Sequence, residues 1–184
     1  MRKFLESGVN IVTGCRIPKD YFVATGTGES DITIHAGSYH LALRKCGIEM
    51  CNIITYSSIL PKIATEIEKP KQLVHGSVLE SIMAVCHTKK GNRATVGIIY
   101  GWLHNRKTTE IFGGLVCEHN GDYSLEEIDA LLQASIHELY INGFEEDYEL
   151  KNKTIIKESL IPQKNFGTAI AALCFTSYLY PVIQ

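Results

Sequence analysis

The sequence has no block of like charges, no apolar run long enough to cross a bilayer, no Cys-x-x-Cys pair and no G-x-S-x-G turn. Each absence excludes a class. With 18 Lys and Arg against 20 Asp and Glu, the formal charge is -2, and no basic face or tail marks a partner such as nucleic acid or an anionic membrane. Near the start, Glu6 and Gly8 interrupt "MRKFLESGVN" before an export signal can form, so a cytoplasmic location is expected. The six cysteines (15, 46, 51, 86, 117 and 174) are scattered, which predicts reduced, mostly buried thiols and argues against a zinc ribbon or a redox pair. Seven histidines (35, 40, 75, 87, 104, 119 and 137) show neither H-x-H nor H-x-x-x-H spacing, so no metal site is expected. "GTGES" (26–30) has the glycines of a phosphate loop but neither the Walker lysine nor the third dinucleotide glycine.

What is present is an ordinary core-forming composition: 184 residues, 45% of them hydrophobic, enough for one domain spanning 1–184. Residues 8–14 and 21–26 read as short strands closed by glycines, with Pro18 marking a loop between them. Residues 36–46 place Tyr39, Leu41 and Leu43 at helical spacings, and Gly47 stands where a left-handed cap would end that helix. Cys51 to Tyr56 reads as a buried strand, and the charged, proline-punctuated stretch 62–72 as a surface connection. Residues 76–86 are ambiguous; a strand is favoured because "KKGN" (89–92) looks like a hairpin turn into the β-rich "RATVGIIYGWL".

A further strand is expected over 111–119. The clearest helix starts at Ser124, which forms a capping box with Glu127; its apolar stripe is Ile128, Leu131, Leu132, Ile136, Leu139 and Tyr140, and Gly143 ends it. "TIIKESLIP" follows as a strand, and "FGTAIAALCFTSYLY" as a buried helix or strand. The sum is an α+β fold in which sheets dominate and helices cover their faces.

Cys51–Tyr56 delivers the chain to two adjacent serines, Ser57 and Ser58. Such a pair usually means only a polar turn. No local base or nucleophile elbow would activate either hydroxyl for hydrolysis. A serine at a strained turn has another use. Its hydroxyl can attack the preceding carbonyl carbon, breaking the peptide C–N bond and leaving an ester. β-Elimination then breaks the Cβ–O bond to give dehydroalanine, and hydrolysis with loss of ammonia leaves a pyruvoyl group. That carbonyl can accept a substrate amine and withdraw electrons from the adjacent carbon, which makes loss of carbon dioxide feasible.

The segments "GTGESD" (26–31), "LALRKCGIEMCNI" (41–53), "YSSILP" (56–61), "HGSVLESIMA" (75–84), "GGLVCEHNG" (113–121) and "FGTAIAALCF" (166–175) occur in the order found in the pyruvoyl-dependent arginine decarboxylases, which the chain resembles. The resemblance implies an αββα layered sandwich, assembled as a homotrimer or a dimer of trimers with active sites between subunits. It implies self-cleavage between Ser57 and Ser58 into a small chain (1–57) and a large chain (58–184), with Ser58 becoming the covalent pyruvoyl cofactor. Asn52 matches an asparagine that assists processing, by donating hydrogen bonds to the carbonyl under attack. Glu118 matches the acid that returns a proton to the substrate carbon after decarboxylation, beside apolar neighbours such as Leu115 and Val116. Leu43 and Ile59 match apolar substrate-binding positions.

One position departs from the family pattern. Where the family has an aspartate that binds the guanidinium, this chain has His40, which cannot make a bidentate carboxylate contact. Asp31 is the expected replacement anion. The implied reaction is conversion of L-arginine to agmatine and carbon dioxide; the alternatives are the same chemistry on another amino acid such as histidine, or a non-processing paralogue that serves as a binding or assembly subunit.

Overall fold

Strands dominate the residues that the computed structural model describes, 13–182. They are β1 (Ile17–Pro18), β2 (Asp20–Ser30), β3 (Asn52–Thr55), β4 (Ile59–Pro61), β5 (Thr65–Glu66), β6 (Val78–Lys89), β7 (Ala94–Asn105), β8 (Ile111–Gly121), β9 (Tyr148–Leu160), β10 (Phe166–Phe175) and β11 (Tyr178–Leu179). A π-helical turn (Ile34–Tyr39) leads into helix α1 (His40–Cys46), and helix α2 (Leu125–Ile141) joins β8 to β9.

Two main sheets form, a five-stranded one in the order β3-β6-β10-β2-β5 and a four-stranded one in the order β4-β8-β7-β9; β1 and β11 make a separate pair. The sheets stack through inward-facing Ile82, Ala84, Val96, Ile98, Ala169, Ala171, Leu173 and Phe175. Helix α1 covers the outer face of the five-stranded sheet through Ala42, Leu43 and Cys46, which pack on Phe22, Ile170, Ala172 and Cys174. Helix α2 covers the four-stranded sheet through Ile128, Leu132 and Ile136. The result is an α+β sandwich of four layers, α-β-β-α. Each helix is also a crossover: β2 and β3 are parallel because α1 carries the chain over the sheet, and α2 does the same between β8 and β9.

Local sequence explains the main elements. Central strand β10 is buried on both faces, which is why its run is apolar without alternation and why it is a strand rather than a helix. Its alanines leave room for neighbours above and below. Ser124 accepts the N–H of Glu127 while the Glu127 carboxylate accepts the N–H of Ser124, the reciprocal cap expected for α2. Gly47 ends α1 with φ +74°. Gly28 faces α1, and a Cβ there would stand 2.2 Å from the Ser38 carbonyl oxygen. The glycines of "GTGES" therefore let α1 lie on β2.

Several expectations change. The strand expected over 8–14 falls largely outside the described residues, of which Thr13 bridges Val182. Pro18 belongs to β1 rather than a loop, on a two-stranded ribbon whose register needs no donor from it. The strand after Cys51 is an edge strand with Asn52, Ile54 and Thr55 exposed, because only β6 pairs with it. Lys89–Asn92 is no hairpin: β6 and β7 lie in different sheets, and the turn passes the chain between them. Part of the surface connection, Thr65–Glu66, adds a short parallel strand beside β2. Helix α2 ends at Asn142 in right-handed geometry, so Gly143 supplies no left-handed cap.

Candidate active site

The two serines lie where the chain leaves one sheet for the other. Tyr56 makes the last backbone contact of the β3 side, donating its N–H to Ser81 O at 2.8 Å; Ser58 makes the first on the β4 side, its carbonyl accepting from Val116 N at 3.1 Å. The Ser57–Ser58 peptide is thus the crossing itself. The Ile59 N–H donates to the Ser57 carbonyl oxygen at 3.0 Å, closing a three-residue turn centred on Ser58. That carbonyl is polarised by a backbone donor adjacent to the hydroxyl that would attack it.

Glu118 completes the arrangement. Along β8, Leu115 and Cys117 face α2 while Val116 faces the space between the sheets, and Glu118 follows Val116 on that face. The Ser58 hydroxyl donates to Glu118 Oε2 at 2.7 Å, a charge-assisted bond length. Strand β4 pairs with β8 at Gly113–Leu115, and past the Val116–Ser58 hydrogen bond no described strand pairs with the outer edge of β8.

A groove of about 660 Å³ runs along this free edge, lined on one side by Ser57, Ser58, Ile59 and Glu118 and on the other by Ser135, Glu138 and Leu139 of α2 and its C-cap Asn142. It is larger than the 470 Å³ hollow around Arg93 and Leu160, whose Ser124 is engaged in the α2 capping box. His119 Nε2 and Ser135 Oγ hydrogen-bond at 2.7 Å and tie the two walls together. Burial, with the Glu118 charge adding to it, pushes the Cys117 thiol up to about 11, so it stays protonated near neutral pH and offers no competing nucleophile.

Of the residues singled out in the sequence, Ser57, Ser58, Ile59 and Glu118 come together. The others lie elsewhere in this chain. Asn52, at the exposed start of β3, donates its side-chain amide to Gly76 O at 2.9 Å. Asp31, just past β2, accepts the Asn165 N–H at 3.1 Å. His40 is exposed at the first turn of α1, and Leu43 is buried beneath it in the core under the helix. None of these four lines the groove. Sequence reasoning missed the Ile59 N–H and the α2 wall. The spacing of Ser135, Glu138, Leu139 and Asn142, one helical face continuous with the apolar stripe, was the available signal for the wall.

The sequence profile of the family described as pyruvoyl-dependent arginine decarboxylase matches residues 20–179. The chain belongs to that family. It is 29% identical over 161 residues to a pyruvoyl-dependent arginine decarboxylase of Methanopyrus kandleri, covering 86% of this chain and 97% of that protein. It is 31% identical over 132 residues to a probable pyruvoyl-dependent arginine decarboxylase of Chlorobaculum parvum, covering 65% and 69% respectively. With a pyruvoyl-dependent arginine decarboxylase of Chlamydia trachomatis it shares 29% identity over 188 aligned positions, covering 90% and 94%.

The family works with a covalent pyruvoyl group, and the residues here fit one. Ser58 has a carboxylate on its hydroxyl, a polarised carbonyl immediately before it, and an open groove in front of it. Among the described residues no cluster of three or more His, Cys, Asp or Glu is placed to hold a metal ion.

Proposed function

We propose that this protein cleaves itself between Ser57 and Ser58 and then decarboxylates L-arginine to agmatine and carbon dioxide. The observation that carries the reading is the Ser58 hydroxyl on Glu118 beside a Ser57 carbonyl already hydrogen-bonded by Ile59. In the first step Glu118 takes the hydroxyl proton as Oγ bonds to the Ser57 carbonyl carbon, the Ile59 N–H stabilises the oxygen that becomes negative, and the C–N bond breaks with a proton passing to the departing nitrogen. The ester then eliminates and hydrolyses as described above. The single domain 1–184 becomes a small chain (1–57) and a large chain (58–184). Asn52 assists by fixing the entry to β3 through Gly76 rather than by touching the carbonyl.

The pyruvoyl group, once formed from Ser58, supplies the electron-withdrawing carbonyl that decarboxylation requires. Glu118 then holds a proton beside residue 58, ready for the carbon that loses carbon dioxide. Ile59 and Leu139 offer apolar contact to a methylene chain. Glu138 offers a carboxylate on the same wall, and we assign it to the guanidinium, a role that His40 cannot fill.

A second copy of the chain completes the site, in a homotrimer or a dimer of trimers. Met50, Ile54, Val74 and Val78 are exposed around the free edge of β3, the strand that leads into the serine pair. Large apolar side chains grouped on an open strand edge favour burial against another chain. Through that contact the exposed Asp31 and His40 of a neighbour would reach the groove, whereas Leu43 stays buried under α1 as a core residue.

The test combines three readings on one preparation: denatured mass, arylhydrazine trapping at residue 58, and carbon dioxide release across a panel of amino acids that includes arginine and histidine. Fragments at the Ser57–Ser58 bond with arginine-selective release are expected. An intact chain without a trapped carbonyl would overturn the reading in favour of a non-processing binding subunit. Release from histidine in preference to arginine would overturn the substrate alone.

A further inference from the structure

Glu80, in β6, is 2% exposed and is the one carboxylate among the buried residues described. Its neighbours Ile82 and Ala84 on the same face pack between the sheets, so its side chain points into that space. A carboxylate there is costly unless it is paired and hydrogen-bonded. The other core positions on this face of β6, Ile82, Ala84 and Cys86, are apolar or weakly polar, and packing alone gives no reason for a charge.

What Glu80 holds supplies the reason. Arg16 donates from Nε to Oε2 at 3.1 Å and pairs with Oε1 through a second guanidinium nitrogen, while the Tyr56 hydroxyl donates to Oε2. Arg16 also stands over the Tyr178 ring, 5.6 Å from its centre, and the Tyr56 ring packs on Phe175 at 5.6 Å between centroids. These contacts sort by position relative to the serine pair. Arg16 and Tyr56 precede it; Glu80, Phe175 and Tyr178 follow it.

Tyr56 is therefore gripped twice by β6, through its N–H on Ser81 and its hydroxyl on Glu80. The next carbonyl along the chain is that of Ser57. A misplacement of about 1 Å between reacting groups can cost roughly a hundredfold in rate. Resting on the self-cleavage reading above, we propose that Glu80 is a positioning residue: through Tyr56 it holds the Ser57 carbonyl where Ser58 attacks. After the cut it retains the new end of the small chain in the groove wall. Glu80 touches neither reacting atom.

The test uses the full chain, with Tyr56→Phe and Glu80→Gln followed by denatured mass over time and by thermal unfolding of the uncleaved protein. Tyr56→Phe keeps the ring on Phe175 and removes only the hydroxyl. It should slow cleavage at least tenfold with little change in Tm, whereas Glu80→Gln, which keeps an acceptor for the tyrosine, should be milder. Hydroxylamine, which cuts the ester intermediate, should not restore the rate, because the defect precedes ester formation.

Wild-type rates in Tyr56→Phe would overturn the inference, as would full restoration by hydroxylamine or slowing that merely tracks a loss of Tm across both variants. If the parent chain itself never cleaves, the self-cleavage reading fails first. If it cleaves and Tyr56→Phe matches it, only the role of Glu80 fails.

Discussion

Ser58 and Glu118 stand 60 residues apart in the chain and 2.7 Å apart in the fold, with the serine hydroxyl donating to the carboxylate. In the proposed self-cleavage this pairing would give the hydroxyl the base that its own neighbourhood in the sequence lacks. Glu118→Gln should slow cleavage roughly a hundredfold, within the usual range for loss of a general base, and Ser58→Ala should abolish it. Denatured mass against time measures both. Cleavage of Glu118→Gln at the parent rate would remove the proton-accepting role.

Recognition of substrate should separate from processing. Glu138→Gln removes a carboxylate from the groove wall without touching the scissile peptide, and a hydrogen bond to a charged group is worth about 1.5–3 kcal/mol. KM for arginine should rise roughly tenfold or more with the self-cleavage rate unchanged. Asp31→Asn should also raise KM much more than it alters cleavage if a neighbouring copy supplies that residue. A variant pair with unaltered KM would leave the guanidinium without its assigned anions.

The cysteines should react in an order set by exposure and ionisation. Burial holds Cys46 up to about 12 and Cys117 up to about 11, and raises Cys86 and Cys174 as well, while Cys15 is exposed. Alkylation proceeds through the thiolate. Iodoacetamide at neutral pH should therefore mark Cys15 well before these four in the folded protein, as read by peptide mass.

The α2 cap should make part of the stability acid-sensitive. Hydrogen bonds from Ser124 hold the Glu127 carboxyl below its ordinary value of 4.5. A depressed folded pKa contributes stability that is complete above the unfolded value and is lost as pH falls through the folded one. Thermal unfolding of Ser124→Ala should show a loss of about 1 kcal/mol near neutral pH and a shallower decline than the parent below pH 4.5. Parallel curves would show that the cap is not the titrating element.

Assembly can be read from mass in solution. Light scattering should give a multiple of three times the 20.5 kDa chain, and substituting lysine for Ile54 or Val78 should lower it together with activity. A fully active monomer would mean that the groove is complete without a second copy.

The sequence by itself determined much of this protein. The capping box at Ser124 and Glu127, the glycine after α1 and the β-rich runs are local devices, set by hydrogen bonds and spacings within a few residues, and all were legible without coordinates. The serine pair was legible only through its place in the ordered family motifs, because a Ser-Ser dipeptide by itself reads as a polar turn. The double-sided burial of β10 decided strand over helix, and no periodicity within "FGTAIAALCF" could do so. Lys89–Asn92 looked like a hairpin because a turn does not record which sheet each flanking strand will join. Tertiary structure alone set Glu118 on Ser58, turned the Ile59 N–H onto the Ser57 carbonyl and put Glu80 on both Arg16 and Tyr56. These contacts join residues far apart in sequence, or depend on the chain's crossing between sheets, and a crossing exists only once both sheets have packed.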